Sequence, residues 1–192
     1  MTENSRFTEE GLREPLRAHL AVRPRRVAPH GIGRASAVLA PLFERDGEVY
    51  LVLVLRAQGM RSHSGQVAFP GGKRDPLDES LLATALREAQ EEIALPSGEV
   101  DVLGALDDLP TITGYVITPY VGWIRADCAF VPNAAEIARV LATPLRAFLE
   151  PQSGTFPRVG WRTDGELLWG ATAKIVTGLV SIARQIAAER AQ

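Results

Sequence analysis

The sequence predicts an α/β protein in which helices cover both faces of one sheet, and three observations lead there. Residues 48–55 are apolar on both faces of a strand, so this strand lies mid-sheet with cover on each side. Residues 80–94 read as a helix whose Leu82, Leu86, Ala89 and Ile93 form one apolar stripe. Two further amphipathic helices stand near the two ends of the chain. At 192 residues the chain is long enough for a sizeable single core.

In order, residues 8–20 form a short helix, with Thr8 as its N-cap and Leu12, Leu16 and Leu20 on one face. The basic linker Arg23-Pro-Arg-Arg-Val-Ala-Pro follows and reads as solvated. The expected organisation is an N-terminal helix and linker, residues 1–33, packed on a domain of residues 34–192. Residues 35–43 and 48–55 are strands around an Asp46-Gly47 turn. A polar loop carrying Arg56, Arg61 and His63 leads to a short strand at Val67 and a glycine turn at Gly71-Gly72. Residues 100–106 and 115–124 are strands, joined by a Pro/Thr/Gly loop that either covers a ligand or makes a tight connection. Residues 144–149 form a short helix, and 156–161 a strand or hairpin beside Leu167-Leu-Trp-Gly. Trp169 is read as a core residue. The closing helix buries Ile175, Leu179, Ile182 and Ile186.

A net charge of −2 and a pI near 6.0 argue against a nucleic-acid or anionic-membrane partner, which would call for a basic excess. The single cysteine, Cys128, excludes an intramolecular disulfide and fits a reducing compartment. The apolar run 49–55 is far too short to span a bilayer, and the N-terminus lacks an apolar signal region. A cytoplasmic protein is expected. No sequence feature assigns an oligomeric state.

The chemistry concentrates in residues 71–95. Glu88, Glu91 and Glu92 stand at i, i+3 and i+4 and project together from the helix. Three clustered carboxylates make either a solvated acidic face supported by Arg87 or a site for a hard divalent cation, which prefers oxygen ligands and carries substrate phosphates. The glycine turn just before the helix, where backbone approaches a ligand closely, favours the second.

Gly71-Gly72, Glu79 and Arg87-Glu88-Ala89-Gln90-Glu91-Glu92 resemble the Nudix box, Gly-x5-Glu-x7-Arg-Glu-U-x-Glu-Glu-x-Gly-U with U a bulky apolar residue. Three departures are visible. One extra residue separates Gly72 from Glu79, leaving either Asp78 or Glu79 in the early acidic role; Ala89 is smaller than the usual U; and Ala94 replaces the glycine. The resemblance implies the Nudix fold, an α/β/α sandwich with a mixed β-sheet. A narrower resemblance lies in Leu55-Arg-Ala followed by Arg61-x-His63-x-Gly65-Gln-Val-Ala-Phe-Pro-Gly-Gly. It continues in Leu109-Pro-Thr-x-Thr-Gly-Tyr-x-Ile-Thr-Pro-Tyr-Val-Gly and Trp169-Gly-Ala-Thr-Ala-Lys. These are similar to the coenzyme A pyrophosphatase branch.

A phosphoanhydride resists attack because its oxygens repel a nucleophile, and Mg²⁺ or Mn²⁺ relieves that repulsion. Glu88, Glu91 and Glu92 supply oxygen ligands, and the resemblance adds the carbonyl of Gly71, supported by Gly72. The catalytic set is Glu88, Glu91 and Glu136, with Glu88 or Glu136 as the base. Glu136 has two readings, a site carboxylate by resemblance or a surface one. Arg87, by resemblance, is a clamp pairing with Glu79 or Glu91. Arg56, Arg61 and His63 are candidates for substrate phosphates. The implied reaction is hydrolysis of coenzyme A, or an acyl derivative, to 3′,5′-ADP and the 4′-phosphopantetheine moiety. The alternatives are a Nudix hydrolase of another nucleoside diphosphate derivative such as ADP-ribose, and a non-catalytic nucleotide sensor.

Overall fold

The computed structural model describes residues 8–59, 64–149 and 160–190. Arg61, His63 and the predicted strand start at Phe156 lie outside the described residues. Helix α1 spans Glu9–Val22, and the Thr8 hydroxyl accepts from the Gly11 N–H at 3.2 Å. The first hairpin joins β1 (Arg34–Arg45) to β2 (Glu48–Arg56). Its two turn residues, Asp46 and Gly47, both take positive φ, 54° and 76°, the geometry that matches strand twist in a two-residue turn.

β3 (Val67–Ala68) and β4 (Gly71–Lys73) precede α2 (Leu81–Ile93). Then come β5 (Asp101–Ala105), β6 (Leu109–Pro110), β7 (Tyr115–Trp123) and β8 (Ile137–Pro144). The small hairpin β9 (Trp161–Thr163) and β10 (Glu166–Leu168) leads into α3 (Gly170–Glu189). The predicted helix at 144–149 is a single 3₁₀ turn, Leu145–Phe148.

Among the described residues the main sheet runs β3-β2-β1-β7-β5, with β4 on β1, β6 on β7 and β8 on β2. It is mixed, because β1 and β7 are parallel, Arg34 to Leu42 against Tyr115 to Trp123, while the other pairs are antiparallel. Strand alternation sorts β2 as the sequence predicts. Leu51 and Leu53 join α1 and α3 in one core layer, and Val52 and Val54 join α2 in the other. Burying each such side chain contributes roughly 1.5–3 kcal/mol.

Four expectations are corrected. Gly71-Gly72 is a strand rather than a turn, because it pairs with Val38 and Ala37 of β1. The buried stripe of α2 is Ala85, Ala89 and Ile93, while Leu82 and Leu86 are half-buried; small alanines bring the helix close to Ala37 and Leu39. Trp169 is 40% exposed at the start of α3, outside the core. The basic linker is not simply solvated, since Arg23 pairs with Asp107 at 2.6 Å and Arg25 with Asp108. No helix among the described residues is long and apolar enough to cross a membrane.

Candidate functional site

The site begins where β4 runs beside α2. Gly71 has φ 153°, and a Cβ there would come within 2.4 Å of the Ala37 carbonyl oxygen. A Cβ on Gly72 would lie 2.5–2.6 Å from the carboxylate atoms of Glu88. The first glycine thus lets β4 close against β1, and the second leaves room for an acidic side chain.

Below α2, Asp78 is buried and organises the approach. Its carboxylate accepts from the Asp75 N–H at 2.9 Å, the Thr84 hydroxyl at 2.8 Å, and Nε and Nη2 of Arg87 at 3.0 Å each. The Arg87 hydrogen bonds hold this carboxyl well below the usual range despite its burial, and Asp78 in turn raises Arg87. Ser80 caps α2, its hydroxyl accepting from the Ala83 N–H at 3.1 Å. Arg87 also reaches Glu88 and Glu91, both at 3.0 Å, and donates to the Lys73 carbonyl at 3.2 Å. The clamp therefore closes on Asp78 and Glu91, whereas Glu79 is exposed. Residues 75–78 form a tight turn in which the Asp78 N–H bonds the Asp75 carbonyl, and it is Asp78 that lies inward while Glu79 stays exposed.

The three helix glutamates do not share one environment. Glu91 is exposed and Glu88 largely covered, while Glu92 is buried, contrary to a single displayed acidic face. Glu92 Oε1 accepts from Arg56 at 2.9 Å and its Oε2 from the Gly71 N–H at 3.1 Å. Burial pushes its carboxyl up to about 7, against the lowering effect of Arg56 and of that N–H. Burial also raises Glu88, with the charges of Glu91 and Glu136 adding to the effect over the opposition of Arg87.

Glu136 belongs to this cluster. The Asn133 N–H donates to the Glu92 carbonyl at 2.9 Å, the Val131 N–H to that of Ile93 at 3.1 Å, and the Ala57 N–H to the Glu136 carbonyl at 2.7 Å. The first two bonds strap the segment before β8 to the C-terminal end of α2, and the third ties it to the residue after β2. Glu136 Oε2 then lies 3.6 Å from Arg56 Nη2. Arg56, expected to face substrate phosphates, is instead engaged by two carboxylates.

Among the described residues no three His, Cys, Asp or Glu side chains converge into a ready-made metal cage, and the carboxylates are instead drawn to the two shared arginines and, for Glu92, the Gly71 N–H. The donor set nevertheless suits a hard divalent cation. It is all oxygen, and two arginines face five carboxylates, Asp78, Glu88, Glu91, Glu92 and Glu136. Glu88 and Glu92 are raised chiefly by burial, beyond what those arginines offset. A cavity of about 590 Å³ lies elsewhere, beside Glu44 at the far end of β1, and contains none of these groups.

Sequence reasoning missed the role of Asp78 with Thr84, and the grouping of Arg34 and Lys73 at 4.4 and 5.8 Å from the Tyr115 ring centroid. The first was visible as the alternative acid in the box. The second needs the pairing of β1 with β4 and β7.

Residues 33–158 match the family described as the NUDIX domain. The chain is 43% identical over 157 residues, 76% of its length and 78% of the relative's, to a protein of Yersinia pestis (strain Pestoides F) named as an uncharacterised Nudix hydrolase, NudL. Its fold is similar to that of RenU, a Nudix hydrolase from M. smegmatis, with a TM-score of 0.57 and 19% identity, covering 81% of this chain and 86% of that one. It is also similar to the NUDIX domain of Shewanella oneidensis NrtR, solved with ADP ribose, with a TM-score of 0.54 and 20% identity over 86% and 90% of the two chains.

Proposed function

The chain belongs to the Nudix hydrolase family, and on that premise we propose that it hydrolyses the diphosphate of coenzyme A or its acyl derivatives, releasing 3′,5′-ADP and 4′-phosphopantetheine or its acyl form. Family membership supports the coarser statement, a pyrophosphohydrolase acting on a nucleoside diphosphate derivative with a divalent metal ion. The observation that carries the finer one is the meeting of three segments resembling the coenzyme A branch at β3 and β4. The first supplies Arg56, Gly71 and Gly72. The second forms β6 and β7, whose Tyr115 lies against Lys73. The third opens α3, where the Thr172 hydroxyl donates to the Val67 carbonyl at 3.2 Å. In this reading residues 34–192 are the catalytic domain and residues 1–33 a helix and linker packed on it, in a cytoplasmic protein.

Glu88, Glu91, Glu92 and the carbonyl of Gly71 would hold Mg²⁺ or Mn²⁺. Such an ion neutralises diphosphate oxygens and lowers the pKa of water. Arg87 keeps Glu88 and Glu91 in place while Asp78 fixes Arg87. A carboxylate oxygen of Glu88 or Glu136 takes the proton of the attacking water as its oxygen bonds to phosphorus and the bridging P–O bond breaks. Arg61 and His63 are assigned to substrate phosphates by the resemblance alone.

The test is incubation of the purified protein with coenzyme A, ADP-ribose and 8-oxo-dGTP, each with Mg²⁺, Mn²⁺ or chelator, with products read by chromatography. Metal-dependent release of 3′,5′-ADP from coenzyme A is expected. Turnover of ADP-ribose or 8-oxo-dGTP instead would keep the site and discard the specificity. Binding without turnover of any of them would leave a nucleotide sensor.

A further inference from the structure

Arg56 ends β2, a strand that is otherwise apolar and covered on both faces. Between Leu55 and Arg56 the register against β8 slips, Leu55 facing Arg139 and Arg56 facing Ile137. The extra residue, Ala138, lies on β8, so the bulge bends the strand that follows Glu136 where it pairs with Arg56. The Arg56 N–H donates to the Gln66 carbonyl at 3.0 Å, and the next N–H, that of Ala57, donates to the carbonyl of Glu136 at 2.7 Å. The guanidinium is only 15% exposed and spans two carboxylates, Glu92 at 2.9 Å and Glu136 at 3.6 Å. These two acids stand 44 residues apart in sequence, one on α2 and one in the segment before β8.

A phosphate at Arg56 would have to draw the guanidinium away from a buried carboxylate. Breaking a buried pair leaves an uncompensated charge on the partner left behind. Both Nη groups are therefore engaged by the protein's own acids, and Nε, which has no partner among the described residues, is itself buried. We propose that Arg56 is a positioning residue, whose guanidinium ties Glu92 to Glu136 and sets their spacing for a shared divalent cation. The inference rests on the reading of Glu92 as a metal-holding side chain and extends it by bringing Glu136 to the same ion, and it is independent of which diphosphate the enzyme cleaves. Orienting groups behind metal ligands typically contribute about 10- to 100-fold to metal affinity.

The experiment is titration calorimetry of Mn²⁺ into the full-length chain without substrate, for wild type, Arg56→Gln, Arg56→Lys and Glu136→Gln, with circular dichroism to verify folding. Arg56→Gln should weaken Mn²⁺ binding by about 10- to 100-fold. Arg56→Lys should recover part of that loss, since it keeps the charge without the planar fork. Glu136→Gln alters a half-exposed side chain and keeps the test open if Arg56→Gln does not fold. It should weaken Mn²⁺ binding as well, and combining it with Arg56→Gln should add less than the sum. With the preferred substrate, Arg56→Gln should lower kcat at saturating Mn²⁺ more than it raises KM. Unchanged Mn²⁺ affinity with a raised KM would overturn the proposal in favour of a phosphate contact. Tighter Mn²⁺ binding in Arg56→Gln would overturn it too, by making the arginine a competitor of the ion. Absence of Mn²⁺ binding by wild type would overturn the metal reading itself.

Discussion

Two arginine–carboxylate networks lie on opposite faces of the sheet, and they differ in their balance. On the α1 side, Arg13, Arg17, Arg23, Arg25 and Arg26 meet Glu9, Glu14, Asp101, Asp107 and Asp108, five cations to five acids. On the α2 side, Arg56 and Arg87 meet five carboxylates. Titration separates the buried glutamates from the rest, for on the α2 side Asp78 is also held low by Arg87. Hydrogen bonds from Arg17 and Arg13 hold Asp101 below its ordinary value, and Asp107 is lowered as well, although burial opposes Arg23 there. Glu88 and Glu92 are raised by burial beyond what their arginines offset. A balanced network has done its work once the chain is folded. In the proposed reading the unbalanced one is completed by a positive charge from outside, which would separate the fastening of the N-terminal segment from the chemistry.

The strongest way to break this contrast is to remove a site carboxylate. Glu91→Gln and Glu92→Gln should each lower kcat/KM by more than about 100-fold, since both are assigned to the ion that carries the diphosphate. Glu91→Gln should do so with an almost unchanged melting temperature, because Glu91 is exposed. Retained activity in these variants would remove the metal-site assignment. Gly72→Ala comes next. Its methyl group would press on the Glu88 carboxylate, and misplacing a catalytic group by about 1 Å typically costs up to 10²-fold. A 10- to 100-fold fall in kcat with a folded protein by circular dichroism is expected; full activity would mean that Glu88 can move aside without consequence.

How much of this was legible in the sequence depended on whether the signal was local. The Asp46-Gly47 hairpin and the cap at Thr8 follow from residues a few positions apart, and they stand as expected. The Nudix box was legible for the same reason. Glu92 was not, because a helical wheel gives its angle but not what it faces. Gly71 and Arg56, which draw it inward, come from β4 and β2, 21 and 36 residues away. The choice between Asp78 and Glu79 turned on one inserted residue, and only the 75–78 turn decides which acid points at Arg87. Arg56 itself looked like a loop cation because its place as the last residue of β2, opposite Ile137, exists only once β2 and β8 are paired.

The balanced network should respond in the opposite sense, in stability and not in catalysis. Asp101→Asn removes a carboxylate that accepts from Arg13 and Arg17. These side chains are about a third exposed, so solvent screening limits the loss to about 1 kcal/mol, or roughly 2–4 °C in Tm. The activity should be unchanged. Because the folded Asp101 value is depressed, its contribution is present above the unfolded value of about 4 and fades as pH falls through the folded one. The Tm difference between wild type and Asp101→Asn should therefore be full at pH 6–7 and shrink below about pH 4. A difference independent of pH would place the effect in packing and not in charge.

The smallest effect sharpens the contrast from the site's own helix. Ala94 ends α2 with φ 55° and ψ 32°, a left-handed conformation that carries a steric penalty for any residue with a Cβ. It still closes the helix, its N–H reaching the carbonyls of Ala89 and Gln90. Ala94→Gly relieves that strain while adding freedom to the unfolded chain, so the two terms partly cancel. A net gain of about 0.5–1 kcal/mol is expected, a rise of roughly 1–4 °C in Tm with kcat/KM within about two-fold of wild type. The strain sits two residues beyond Glu92. A gain in stability matched by a loss of activity would therefore mean that the strained cap helps to aim the glutamates, making the fold and the site less separable than the two charge networks indicate.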